Sequence, residues 1–151
     1  MANDNEAVVD ALERLLSDSY TLYLKTHGYH WNVTGPMFTT LHTLFETQYS
    51  ELALAVDEVA ERIRAIGAPA PASFSQFAAR AVVKEDTGIP AATAMIENLV
   101  ADHQTVAEAA KAVIKAGEAA GDDVSVDLGV RRNDVHDKAA WMLRSHLEPG
   151  G

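Results

Sequence analysis

Residues 30–61 read HWNVTGPMFTTLHTLFETQYSELALAVDEVAE, and a single helix accounts for most of them. From Met37 to Ile66 the chain is rich in Leu, Ala, Glu and Thr with no internal breaker. Thr34-Gly35-Pro36 supplies the start signal in front of it. Four groups able to bind a hard or borderline cation lie along this helix: His42, Glu46, Asp57 and Glu61. At about 100° per residue they fall at roughly 0°, 40°, 60° and 100°, so all four share one stripe. His42/Glu46 and Asp57/Glu61 are i,i+4 pairs, each close enough to touch one ion. The gap from Glu46 to Asp57, however, is about 16 Å at a helical rise of about 1.5 Å per residue. One chain cannot fold this stripe onto a single metal.

A second, antiparallel copy of the helix can. With a two-fold axis near Glu51–Leu52, residue i faces roughly residue 103 − i, so His42 meets Glu61 of the copy and Glu46 meets its Asp57. Two equivalent sites result, each built from both subunits, in the isologous contact that is commonest among homo-oligomers. His30, upstream of the Gly35-Pro36 break, could fold back as a further nitrogen ligand. Such a donor set favours Fe(II), Mn(II) or Zn(II) over soft ions. The alternative reading of Asp57 and Glu61 is a solvated acidic face, or salt bridges to the nearby Arg62 and Arg64.

Outward from this stretch, the chain reads as helices throughout. Residues 5–33 form a first helix, with Val8, Leu12, Leu15, Leu16, Leu22 and Tyr23 recurring near a 3.6 period. The organising helix closes at Gly67, a good C-cap. GAPAPASFSQFAARAVVKEDTGIP then runs to Pro90, too long for a tight turn between neighbouring helices. Its middle, SFSQFAARAV, can form one or two helical turns. Residues 90–119 make a third long helix, and residues 124–147 a fourth, capped by Asp122 or Asp123. The expected architecture is all-α: a ferritin-like four-helix bundle whose long crossover carries a short helix between the second and third helices. The chain, 1–151, is read as one domain.

Composition narrows the chemistry. The protein has 151 residues, 48% of them hydrophobic, and no cysteine, which excludes disulfides, iron–sulfur clusters and thiol nucleophiles. MANDNEAVVDALER lacks the features of a signal peptide, and no apolar run approaches a membrane span, so a cytoplasmic location is expected. A net charge of −10 argues against general affinity for nucleic acid. Glu-x-x-His, the pair that builds intrachain di-iron sites in ordinary bundles, does not occur in the sequence. Neither does a phosphate loop, GxSxG or HExxH. His103, His136 and His146 are further metal-binding side chains in principle, but nothing in their spacing lifts them above surface histidines.

His30-Trp31-Asn32-Val33-x-Gly35-x-x-Phe38, then Leu41-His42-x-x-Phe45-Glu46, then Asp57-x-x-Ala60-Glu61-Arg62, resembles the signature of the Dps proteins, the starvation-induced mini-ferritins. The resemblance spans essentially the whole chain. It implies a ferroxidase centre with His30, His42 and Glu46 from one subunit and Asp57 and Glu61 from its two-fold mate. The family is acidic at position 46, Asp or Glu, and Glu changes the reach by one methylene.

The family further implies a hollow dodecamer of tetrahedral symmetry. Such a shell oxidises Fe(II), usually with hydrogen peroxide in preference to dioxygen, and stores Fe(III) mineral, protecting against oxidative damage. Zinc is a possible competitor for the sites. Trp31 beside His30, and Tyr49, are possible electron donors or merely packed aromatic side chains. Residues 121–127 align with the region lining a three-fold pore, making Asp122, Asp123 and Asp127 the pore candidates, with Asp127 favoured.

Many relatives bind DNA through basic tails. Here the tails hold Asp4 and Glu6 at one end and Glu148-Pro149-Gly150-Gly151 at the other, so DNA binding is not expected. A DNA-compacting nucleoid protein is therefore the weaker alternative. A structural helical oligomer is a third, and its paired carboxylates would repel one another without a cation.

Overall fold

A computed structural model describes residues 2–150, with side chains from residue 5 onward, so the side chain of Asp4 and all of Gly151 lie outside the described residues. Five helices follow one another: α1 (Ala2–Asn32), α2 (Phe38–Ala65), α3 (Phe74–Arg80), α4 (Ala92–Ala120) and α5 (Asp123–Arg144). Strands are absent among the described residues. The all-helical bundle with a helix-bearing crossover is thus the fold of the chain. Its boundaries differ slightly from those read in the sequence. α1 starts before residue 5 and stops at Asn32, α4 starts at Ala92, and α5 ends at Arg144, short of 147.

Each long helix buries one apolar stripe. On α1 this is Val8, Leu12, Leu15, Leu16 and Leu22, on α2 Leu41, Phe45, Leu52, Val59 and Ile63, and on α4 Met95, Ile96, Leu99, Val106 and Val113. These residues fall at steps of three, four and seven, as a core-facing helix requires. Tyr23, expected among the core residues, is only half-buried. α1 packs along both α2 and α4, and α4 along α5, whereas α2 and α5 touch sparsely. The α4–α5 contact is tight because Gly129 lies against α4, where a Cβ would sit 2.9 Å from the Ala110 carbonyl oxygen.

Helix ends follow from local chemistry. Gly67 adopts φ 98°, and the N–H of Ala68 donates to the carbonyl of Ile63 at 3.2 Å while that of Gly67 donates to Arg64 at 3.0 Å. That pair of bonds is a Schellman closure, which the left-handed conformation of glycine permits. Of the two candidate caps for α5, Asp122 is the one used: its carboxylate accepts from the Ser125 N–H at 3.0 Å.

Beyond α3, the crossover (residues 66–91) is fastened to α1 by Asp18, Lys25 and Tyr29. Asp18, fully buried, accepts the N–H groups of Val82 at 2.6 Å and Val83 at 2.9 Å through one carboxylate oxygen. Lys25 Nζ donates to the Lys84 carbonyl at 2.8 Å, and the Tyr29 hydroxyl donates to Asp86 at 2.6 Å. α3 adds the stacking of Phe77 on Tyr20, with ring centres 4.9 Å apart.

Candidate metal centre

The turn at residues 33–37 brings the last turn of α1 against the first turn of α2. Gly35 makes it possible with φ 103°, and Phe38 donates to the Gly35 carbonyl at 3.0 Å. His30 and His42 meet there with rings stacked, centres 3.8 Å apart and planes 12° from parallel. Their backbone contacts are reciprocal: His30 Nδ1 lies 2.6 Å from the His42 carbonyl oxygen, and His42 Nδ1 lies 2.7 Å from the His30 carbonyl oxygen. A carbonyl only accepts, so each Nδ1 must carry the proton. The nitrogen left for a metal on each ring is then Nε2, the arrangement that hydrogen-bonding carbonyls impose on metal-binding histidines.

Glu46 reaches the same place from one turn along α2, with its Oε1 3.8 Å from His30 Nε2. That distance is too long for a hydrogen bond, yet a single cation with bonds of about 2.1 Å to each donor would span it. Phe38 covers the other face of His42, with ring centres 4.9 Å apart. His27, which the spacing argument left without a role, sits between Trp31 and Tyr49 with ring centres 4.0 and 4.2 Å away. Burial, reinforced by the neighbouring His30, lowers its pKa. The i,i+3 relation of His27 to His30 was the sequence signal for this contact. Trp31 itself is 61% exposed, so its indole is not packed within the chain.

Asp57 and Glu61 lie exposed further along α2. Arg62 and Arg64 do not neutralise them. Arg62 turns to Asp122 at 2.8 Å and to Ser125 at 3.0 Å, and Arg64 donates to the Ala68 carbonyl at 3.1 Å. Among the described residues no three His, Asp or Glu side chains of one chain converge to hold a metal. His30 is brought against His42, and Glu46 lies near His30 without closing on it; Asp57 and Glu61 are not brought to them.

The three pore candidates divide. Asp122 is committed to the α5 cap and to Arg62; burial alone would raise its pKa, but the two Ser125 hydrogen bonds and then Arg62 bring it below the usual carboxylate value. Asp123 and Asp127 are exposed, and Asp127 accepts from Arg131 at 2.9 Å. One reading is overturned: His103 and His136 are not on the surface but 2% and 0% exposed in the bundle core, while His146 donates from Nδ1 to the Met142 carbonyl at 3.0 Å. His103 stands between Asp102 and Gln104, and His136 lies beside Asp137 and two residues from Asp134, so polar neighbours in the sequence gave both the look of a solvated face.

The model of the ferritin-like domain matches residues 9–149. An uncharacterised low temperature-induced protein of Nostoc is 39% identical over 95% of this chain and 81% of its own length. DNA protection during starvation protein 2 of Bacillus anthracis is 33% identical over 95% of this chain and 98% of its own. The crystal structure of a Dps protein from Vibrio cholerae, described as a ferritin-like diiron-carboxylate protein, superposes with a TM-score of 0.92 at 30% identity, covering 97% of this chain and 92% of that one.

Proposed function

The chain belongs to the Dps family of ferritin-like proteins, and from that premise we propose that it is a ferroxidase and iron-storing mini-ferritin. It would oxidise Fe(II) at sites shared between two subunits and keep the Fe(III) mineral inside a hollow dodecamer in the cytoplasm. The observation that carries this reading is the reciprocal His30–His42 lock, which opens two Nε2 lone pairs beside Glu46. Asp57 and Glu61, free of ion pairs within the described chain, supply the carboxylates once a second α2 packs antiparallel. Exposed Leu54 and Trp31, at 76% and 61%, are the apolar surface such a contact would cover.

Iron is the substrate of this centre. Hydrogen peroxide is the proposed oxidant: two Fe(II) each give one electron, the O–O bond breaks, and two protons complete two waters. Holding both irons between bridging carboxylates lets the pair of electrons pass together, so that no hydroxyl radical is released. Trp31 is the side chain within reach to supply an electron when one iron alone is bound, with loss of indole fluorescence on peroxide addition as its readout. Zinc suits the same nitrogen and oxygen donors and should inhibit by competition.

The test is Fe(II) oxidation followed optically after peroxide addition, in the parent and in Asp57→Asn. Rapid oxidation in the parent that is largely lost in the variant supports the centre. Equal rates would make the stripe a structural interface.

Two further expectations belong here. Asp127, exposed near the start of α5, is our candidate for the carboxylate ring that draws iron to the cavity. Asp127→Asn should slow iron uptake several-fold without altering oxidation at the centre, and an unchanged uptake rate would remove Asp127 from the pore. DNA should not be retarded by the metal-free protein in a gel at physiological salt. Net charge is −10, and seven of the basic side chains (Arg14, Lys25, Arg62, Arg80, Lys111, Arg131, Arg132) are already paired with carboxylates. A retarded band under those conditions would bring back the nucleoid reading.

A further inference from the structure

The bundle core contains a directed polar chain that the iron chemistry does not use. Arg132 on α5 forms a bidentate pair with Glu51 on α2, one bond measuring 2.9 Å, and its Nη2 lies 3.1 Å from His136 Nε2. His136 Nδ1 lies in turn 2.8 Å from His103 Nδ1 on α4. The hydrogen positions follow from the chemistry. A guanidinium only donates, so His136 Nε2 accepts and its proton sits on Nδ1. That proton is given to His103 Nδ1, which leaves His103 protonated on Nε2, a buried atom with no partner among the described residues.

Every site at which this pair could take another proton is therefore already occupied by a facing donor. A proton added to His136 Nε2 would oppose Arg132, and one added to His103 Nδ1 would oppose His136. Either event places a cation beside Arg132 in the core. The neighbouring groups offer little relief. From α2 the facing carboxylate is Glu51, already spent on Arg132, and Gln48 is uncharged. Lys25 of α1 is held by Asp102 of α4, the residue next to His103, at 2.8 Å. Asp18, also on α1, is bound to the crossover and to Arg14. On α5, Asn133 is uncharged.

We propose that the His103–His136–Arg132–Glu51 chain is an acid-operated latch on the seam between α2 and α5. Proton uptake breaks one of its links, and the seam opens to hydrate the new charge. This seam yields first because α2 and α5 pack far more sparsely than α1–α2, α1–α4 or α4–α5. Along it, the side-chain ties to α5 are this chain, Arg131 to Glu58 at 2.6 Å, and Arg62 to Asp122 and Ser125.

The direction in pH follows from burial. Burial, and then Arg132, lowers the pKa of His103 to about 3; burial, then His103 and Arg132, lowers that of His136 well below its ordinary value. Both are thus neutral in the closed seam and gain protons when it opens. The closed form is at full strength above about pH 6.5 and weakens as pH falls, by up to about a hundredfold per unit for two histidines.

Hydrogen exchange of the assembled, metal-free protein tests this at pH 7.5, 5.5 and 4.5, corrected for intrinsic rates. Segments 44–58 of α2 and 126–137 of α5 should lose at least tenfold protection on acidification, while 8–16 of α1 and 106–113 of α4 keep theirs. His103→Gln with His136→Gln, which keeps neutral donors and acceptors, should abolish that loss. The same loss in the variant would assign the effect to Glu51 and overturn the latch, as would uniform loss or none in the parent. Should the variant not assemble, solid-state NMR of histidine-labelled parent decides: protonated ring-nitrogen signals for the pair must appear over the pH range in which the seam loses protection, and appearance elsewhere refutes the mechanism. Segment 126–137 of α5 and the double-glutamine comparison concern contacts within one chain, so they stand or fall separately from the ferroxidase reading, whereas α2 also carries the proposed two-fold contact.

Discussion

Mixing two inactive subunits should restore activity. His42→Ala and Asp57→Asn each remove one ligand, and each homogeneous protein should oxidise Fe(II) about 100-fold more slowly than the parent, since loss of even a second-shell partner costs 10–100-fold. In a heterodimer of the two, one site joins both damaged positions, whereas the other joins an intact His42 to an intact Asp57. Random pairing makes half of the dimers mixed, each with one whole site of two. A co-refolded equimolar mixture should thus recover about one quarter of parental activity, given an isologous two-fold contact. A site confined to one chain could never be complemented in this way. Mixtures as inactive as their components, with heterodimers shown by mass spectrometry, would remove the shared-site model. The same design with His30→Ala in place of His42→Ala should also complement Asp57→Asn, because His30 and His42 are bound to each other across one turn. His30→Ala with His42→Ala should not complement, since each heterodimer site keeps one damaged histidine.

Asp18→Ala should be among the most damaging substitutions away from the candidate centre. The carboxylate is fully buried and holds the crossover through Val82 and Val83, with Arg14 Nε 3.3 Å from its second oxygen. Alanine would leave two backbone N–H groups without an acceptor beneath the crossover, for a loss of about 3 kcal/mol or more. Asp18→Asn should cost less, about 1 kcal/mol, because both backbone donors share the one oxygen an amide retains. Chemical denaturation orders the three proteins, and the crossover should show it locally through early proteolysis in residues 81–88 of the alanine variant. Equal stability of the alanine and asparagine variants would mean that the crossover is held by α3 and by the Lys25 and Tyr29 contacts instead.

The candidate centre was legible in sequence because it is a matter of helical repeat. His42, Glu46, Asp57 and Glu61 share a stripe by virtue of 3.6 residues per turn, and the gap between the two pairs rules out a one-chain site by length alone. The breaker at Gly35-Pro36, the long crossover with its SFSQFAARAV helix and the absence of cysteine were equally local. By contrast, the tie from Arg62 to the capping Asp122 joins residues sixty apart in the chain. Asp18 looked like one acidic residue among many on α1. Its burial depends on backbone N–H groups sixty-four and sixty-five residues later.

His103 and His136 show the limit most sharply. Each has an acidic residue beside it, Asp102 or Asp137, and a histidine in such company reads as solvated whether it faces water or the core. The two are thirty-three residues apart, and Arg132 is eighty-one residues from Glu51. Periodicity states which residues of one helix share a face, because backbone geometry fixes that within a few turns. Which faces meet, which nitrogen of an imidazole carries the proton, and which carboxylate is left free for a cation are settled only when helices distant in sequence pack together. Those choices depend on side-chain reach across the contact, and tertiary structure alone supplies it.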